Sequence, residues 1–198
     1  MTLTAPDPTT RSGLGHPVVI GLDTSLSATG LASSNGWTRV VGYTDKKNPL
    51  SKLPHLERLA VLRTVRAGII NNIGRPNLVV LESPSLRSLG GAGHERGWLW
   101  WEIYSYLDSA EIPTALMSPS GRMLYATGKG QVPKGAVIDA VARRFPDWTT
   151  DGDDNAADAV VLMAAGRDWL GAPIATLPKT HRAALDKAVW PTLPGATR

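Results

Sequence analysis

The chain has 198 residues, enough for one domain with a core of its own. Its hydrophobic (42%) and charged (19%) fractions exclude a disordered chain and a fibre. Cysteine is absent, which excludes a disulfide framework and a thiolate zinc site. The net charge of +4 favours a polyanionic partner. No segment has the length and apolarity of a membrane span or a signal peptide, so we expect a cytoplasmic protein without a membrane partner.

Three segments are predicted along the chain. Residues 1–16 carry Pro, Thr, Ser and Gly without periodicity, which is typical of a flexible N-terminal segment. Residues 17–171 are predicted to form the folded domain. Residues 172–198 are predicted to be a proline-containing tail with a short helix over 179–189.

The domain begins with three predicted strands, over 18–23, 29–33 and 38–43. The pair Asn35-Gly36 predicts a hairpin between the second and the third. A helix is predicted over 53–73, where apolar residues recur every three or four positions. These residues are Leu56, Leu59, Leu62, Val65, Ile69 and Ile73.

Strands and helices alternate in the rest of the domain. Strands are predicted over 77–82 and 113–117, and helices over 94–110, 134–145 and 156–170. The helix over 94–110 is unusually aromatic. The order of three strands followed by alternating helices and strands predicts a mixed α/β domain.

Two buried strands end in a carboxylate, at Asp23 and at Glu82. A crossover helix can bring the strands side by side, and their carboxylates then emerge together. A lone buried carboxylate is costly unless a cation satisfies it, and no basic residue lies near Asp23 in the sequence. A metal ion or a phosphate group is therefore the expected partner. Gly21 and Gly30 are interpreted as keeping the surroundings of Asp23 open. The small residues that follow Asp23 are interpreted as leaving room for a DNA backbone.

The last predicted helix offers further metal ligands. Asp158 lies within an apolar helix, and Asp154 and Asn155 precede it on roughly the same face. Carboxylates that converge without basic partners are stable as anions only around divalent cations, and oxygen ligands favour Mg²⁺ or Mn²⁺. Plainer interpretations stand beside this one, because a strand-end acid is often a turn residue and acids at a helix start often act as caps.

Four blocks of the sequence together resemble the RuvC-like Holliday junction resolvases of the ribonuclease H-like superfamily, most of all phage-encoded members. They comprise residues 20–30 (IGLDTSLSATG), 79–82 (VVLE), 128–134 (GKGQVPK) and 154–159 (DNAADA). The resemblance implies an α/β fold with a mixed central sheet, three antiparallel strands and then parallel strands, flanked by helices. It also implies a crossover junction endodeoxyribonuclease that acts in DNA recombination and repair.

The resemblance assigns roles to residues of this chain. It implies that Asp23, Glu82 and Asp158 hold two Mg²⁺ ions, with Mn²⁺ as the alternative, about 4 Å apart. The fourth ligand is Asn155 or the adjacent Asp154. Lys134 matches the family's lysine. The aromatic that enters the junction in the family is replaced here by Ser85.

A DNA-contacting edge and a dimer are also expected. Between residues 113 and 144 five basic side chains face one acidic side chain, Asp139, although a solvated helix face is the plainer interpretation. The expected DNA contacts are Ser85, Arg87, Arg122, Lys129, Lys134, Arg143 and Arg144. Symmetric junction cleavage implies a homodimer, for which the aromatic helix is either the interface or an ordinary core helix.

Two rival functions remain open. An actin-like ATPase also begins with a strand that ends in aspartate, but 198 residues leave no room for its second half. The other rival is a non-catalytic nucleic-acid-binding protein of the same fold, against which the three retained acids argue. Four-way junctions, forks and flaps are all expected substrates of the nuclease.

Overall fold

Five strands form one mixed sheet in the computed structural model, which describes residues 16–84, 92–133 and 135–193. The strands are β1 (Val19–Asp23), β2 (Thr29–Ser33), β3 (Trp37–Val41), β4 (Leu78–Glu82) and β5 (Thr114–Met117), and their order across the sheet is β3-β2-β1-β4-β5. The first three strands pair antiparallel, whereas β4 runs parallel to β1 and β5 parallel to β4. This topology confirms the predicted fold class.

The predicted hairpin joins β2 to β3. Gly36 has a φ of +87°, a left-handed conformation that glycine adopts without steric cost, and its N–H donates to the carbonyl oxygen of Ser33 at 3.0 Å. The third strand runs over Trp37–Val41 rather than 38–43.

Helices cover both faces of the sheet. They are α1 (His55–Ile73), α2 (Gly93–Ser109), α3 (Pro119–Thr127), α4 (Ala136–Arg144), α5 (Asp154–Trp169) and α6 (Lys179–Arg182). Alternate residues of each strand point to opposite faces, so Val19 and Val80 pack with α5 while Ile20 and Val79 pack with α1 and α2. Coverage on both faces explains why the central strands are apolar without alternation.

Two expectations about the helices are wrong. Leu56 does not lie on the buried face of α1, since it is 82% exposed near the first turn of that helix. The sequence also predicts no helix between β5 and residue 134, yet α3 forms there. Its first residue is Pro119, whose fixed φ suits that position, and the Ser118 hydroxyl accepts a hydrogen bond from the Gly121 N–H at 3.1 Å.

The segment after α5 packs against the domain. Trp190 stacks on Trp169 with ring centroids 4.6 Å apart, and Val189 pairs with Leu116 of β5 through two backbone hydrogen bonds of 2.8 Å. The helix predicted over 179–189 is present only as α6 and a 3₁₀ turn, Leu185–Lys187. None of the helices in the described ranges is long and apolar enough to cross a bilayer.

Candidate active site

The sheet and α5 bring three carboxylates together. Asp23 ends β1 and Glu82 ends β4, and because these strands are parallel neighbours with Leu22 opposite Leu81, both acids lie at the same sheet edge. Asp158 lies in the second turn of α5, the helix that packs on β1 and β2. All three side chains are half-buried.

Two glycines allow α5 to approach the sheet closely. A Cβ atom at Gly21 would lie 2.0 Å from the carbonyl oxygen of Ala159, and one at Gly30 would lie 1.9 Å from that of Asn155. The space beside these glycines is therefore filled by helix backbone. The expectation that these glycines keep the surroundings of Asp23 open is wrong, and they instead set the distance between Asp158 and the strand-end acids.

A basic side chain lies within the carboxylate cluster. Arg122 of α3 donates from Nε to Glu82 Oε2 and from Nη1 to Asp158 Oδ1, and the residue is only 8% exposed. The expectation that the carboxylates converge without a basic partner is therefore wrong. The sequence does not predict these contacts of Arg122, because it does not predict α3. The structure places Arg122 inside the site, and its DNA contact stays a prediction.

The cluster carries more acid than base. Burial, reinforced by the charge of Glu82, raises the pKa of Asp23 to about 7, although Arg122 opposes the shift. Burial likewise raises the pKa of Asp158 to about 7 against the effect of Arg122, with Asp23 and Asp154 contributing. The pKa of Glu82 is also raised, by burial above all. One guanidinium thus leaves an excess of buried negative charge, and a further cation would stabilise the ionised forms.

The donor chemistry of the cluster fits a hard divalent cation, because every acidic ligand offers carboxylate oxygen. Within the described ranges, however, no three His, Cys, Asp or Glu side chains converge closely enough to hold an ion as they stand. Arg122 lies between Glu82 and Asp158, and its guanidinium contacts one oxygen of each, Glu82 Oε2 and Asp158 Oδ1.

The two residues predicted as fourth ligand differ in their surroundings. The charge of Asp154 contributes to the raised pKa of both Asp23 and Asp158. The Asn155 amide nitrogen donates to Asp154 Oδ1 at 3.2 Å and to Asp153 Oδ1 at 3.4 Å. Asp153 is the N-cap of α5 and accepts from the Ala156 N–H at 2.9 Å, so one acid of this group has the predicted capping role.

An open cleft of about 280 Å³ adjoins Asp23 and Glu82. The first turns of α2 also line it through Gly93, Arg96 and Gly97, and a Cβ atom at either glycine would meet no atom of the described residues within 4 Å. Trp100 also lines the cleft, and its indole N–H donates to the Glu82 carbonyl oxygen at 2.9 Å. That bond ties α2 to the end of β4.

The predicted DNA contacts have mixed surroundings. Lys129 is exposed. Arg143 pairs with Asp139 on the surface of α4, and Arg144 donates to the Ala126 carbonyl oxygen at 2.5 Å, so two basic side chains of the predicted edge contact the protein itself. Ser85, Arg87 and Lys134 lie outside the described residues.

The fold is similar to that of solved RuvC structures. No protein-family model and no curated protein sequence matches the chain. T. thermophilus RuvC in complex with Holliday junction substrate is similar with a TM-score of 0.54 and 19% identity, covering 79% of this chain and 98% of that one. A second Thermus thermophilus RuvC structure has a TM-score of 0.53 and 19% identity, covering 78% and 97%. The chain therefore has the ribonuclease H-like fold of RuvC, with Asp23, Glu82 and Asp158 gathered at one sheet edge.

Proposed function

We propose that this protein is a metal-dependent, structure-selective endodeoxyribonuclease that cleaves Holliday junctions or related branched DNA. One observation carries the proposal: two strand-end acids and a helical acid meet at one edge of a RuvC-type sheet, beside an open cleft. One of the similar structures is that of RuvC with a Holliday junction substrate. Such an activity would serve DNA recombination and repair.

The chain's own residues have distinct parts in this reaction. Asp23, Glu82 and Asp158, with Asp154 or Asn155, would hold two Mg²⁺ ions, for which Mn²⁺ is the alternative. Bound divalent ions lower the pKa of an attacking water and stabilise the leaving oxygen of a phosphodiester. The cleft would seat the sugar-phosphate backbone beside the acids. Lys134 and Lys129 would neutralise phosphate charge.

A homodimer is the proposed assembly, because symmetric cleavage of a junction needs two active sites. The aromatic helix α2 buries Leu99, Trp100 and Ile103 in this chain's own core, whereas Trp101 is 64% exposed. Trp101 makes edge-on ring contacts with Trp100 and Tyr104. A large ring left exposed on an ordered helix favours a protein interface.

A non-catalytic nucleic-acid-binding protein is the second candidate function. The ion pairs from Arg122 to Glu82 and Asp158 favour it, because they compensate two of the buried carboxylates without a metal. A protein that only binds branched DNA would need no further cation at this site.

Cleavage of synthetic DNA distinguishes the two functions. A four-way junction, a fork and a linear duplex are incubated with the protein in Mg²⁺, Mn²⁺ or EDTA. The same assay is run with Asp23→Asn and with Asp147→Asn, a matched control at an exposed position away from the cluster. We expect Mg²⁺-dependent cutting of branched DNA by the wild type and the control, and for Asp23→Asn only the background seen in EDTA.

Other outcomes reject particular parts of the proposal. Junction binding without cutting in either metal would favour the non-catalytic protein. Normal cutting by Asp158→Asn would show that the metal ligands are misassigned. Equal cutting of duplex and branched DNA would retain the nuclease but reject its structural selectivity.

A further inference from the structure

We infer that Arg122 is the internal counter-ion of the carboxylate cluster and that a divalent metal must displace it from Glu82 and Asp158 in order to bind. The inference rests on the proposed metal-dependent function. It deepens that function by naming the residue that sets the metal affinity of the site.

The geometry makes Arg122 and the metal direct competitors. Arg122 Nε contacts Glu82 Oε2 and Nη1 contacts Asp158 Oδ1, and the three side chains are only 10%, 14% and 16% exposed. Glu82 and Asp158 come from different elements, β4 and α5, so the guanidinium bridges two of the three acids proposed as metal ligands. An oxygen held by a guanidinium N–H cannot at the same time take a short bond to a metal lying on the same side.

Burial explains why such a counter-ion is needed. Ionised carboxylates removed from water are strongly destabilising when they lack a partner. Arg122 supplies one positive charge among Asp23, Glu82, Asp158 and the nearby Asp154. It therefore lets the site form before metal arrives.

The position of Arg122 on α3 allows displacement without unfolding. The residue lies in the first turn of the helix, just after the Ser118 cap and Pro119. Its long side chain can change rotamer while its backbone stays in the helix. A guanidinium released from the two acids remains beside the cluster, where it can contact a phosphate of bound DNA. Its burial between the two acids is thus compatible with the DNA contact expected from the sequence.

Direct metal binding tests the inference without any DNA. Mn²⁺ is titrated by calorimetry into full-length, EDTA-stripped protein: the wild type, Arg122→Gln, Arg122→Lys and Arg143→Gln. Arg143 is the matched control, because its ion pair with Asp139 lies on the exposed face of α4. Loss of a unit charge and of two competing contacts should tighten Mn²⁺ binding by Arg122→Gln by about tenfold or more. Arg122→Lys keeps the positive charge but loses the paired N–H groups of the guanidinium, so its Mn²⁺ affinity should lie between those of the wild type and Arg122→Gln. Arg143→Gln should bind Mn²⁺ with wild-type affinity.

Thermal melting supplies a second readout. In EDTA, Arg122→Gln should melt below the wild type, because Glu82 and Asp158 then lack their counter-ion. Saturating Mn²⁺ should raise its melting temperature by more than it raises that of the wild type. If Arg122→Gln fails to fold without metal, the comparison of Arg122→Lys with the wild type decides the question.

Two results overturn the inference. One is equal or weaker Mn²⁺ binding by both Arg122 variants, and the other is an equal metal-induced rise in melting temperature for the variants and the wild type. If either result is obtained while wild-type protein cuts junctions, the inference fails and the proposed nuclease stands. If the variants bind Mn²⁺ more tightly but wild-type protein cuts no DNA, the competition stands and the nuclease proposal fails.

Discussion

A Cβ atom on Gly21 would lie 2.0 Å from the carbonyl oxygen of Ala159. This contact fixes the spacing between β1 and α5, and the two acids of the site are close to it in sequence. Asp23 follows Gly21 by two residues on β1, and Asp158 directly precedes Ala159 on α5. A position that requires glycine thus brings the two carboxylates together.

Substitution of Gly21 by alanine should therefore destabilise the protein. The added methyl has to push α5 away from β1, and overpacking of this kind costs about 1–3 kcal/mol. Urea denaturation measures the loss. Gly97→Ala is the matched control, because a Cβ atom there meets none of the described part of the chain within 4 Å and alanine favours a helix interior. Equal stability of Gly21→Ala and wild type would mean that α5 does not pack against β1 as closely as described.

A larger side chain at Gly97 should block the cleft. Gly97 lines the cavity of about 280 Å³ beside Asp23 and Glu82, and a leucine side chain there would fill part of it. We expect Gly97→Leu to lower the rate of junction cleavage at least tenfold while Mn²⁺ affinity and melting temperature stay near wild-type values. Gly97→Ala should cut DNA almost normally. Undiminished cutting by Gly97→Leu would place the DNA elsewhere.

Asp168 should be important for stability rather than for catalysis. Its side chain is 1% exposed and accepts hydrogen bonds from the Tyr125 hydroxyl at 3.2 Å and from Arg182 Nε at 3.0 Å. Asp168→Asn loses the charge-assisted bonds and should cost about 1–3 kcal/mol. Limited proteolysis should then cut the segment after α5 sooner, whereas Lys179→Ala, an exposed change on α6, should not alter the cleavage pattern. Unchanged protection of Asp168→Asn would show that the network does not anchor this segment.

The sequence predicts most of the sheet but not the interior of the site. Apolar runs that end in Asp23 and Glu82 are local signals, and they correctly located the ends of β1 and β4. Arg122 depends on α3, whose opening Ser118-Pro119-Ser120-Gly121 is also typical of a turn, so its approach to Glu82 could not be predicted from neighbouring residues. Both the partners and the burial of Arg122 depend on contacts between α3, β4 and α5, which are distant from one another in sequence.

Metal-free protein should lose stability as the pH rises from about 4 to about 7. Burial, with help from Glu82, raises the pKa of Asp23 from 3.8 to about 7, so the folded state holds a proton that the unfolded chain has released. Folding then takes up a proton, and the free energy of unfolding falls with pH across this interval and levels off above it. Asp158 should add to the same slope.

Asp23→Asn isolates this effect. In EDTA the variant should gain stability relative to the wild type as the pH rises, by about 5 °C in melting temperature between pH 5 and pH 8. The exposed variant Asp147→Asn should follow the wild-type curve. Parallel curves for Asp23→Asn and the wild type would mean that the Asp23 pKa is not raised in the folded protein.

The fourth metal ligand should be Asp154 rather than Asn155. The Asp154 carboxylate adds to the negative charge felt by both Asp23 and Asp158, whereas the Asn155 amide is held by Asp153 and Asp154. A carboxylate also contributes a charge that an amide cannot supply. Asp154→Asn should therefore weaken Mn²⁺ binding about tenfold in calorimetry, and Asn155→Ala should change it less than twofold. Both residues lie in the first turn of α5, so their melting temperatures serve as the folding control, and the reverse order of affinities would assign the ligand to Asn155.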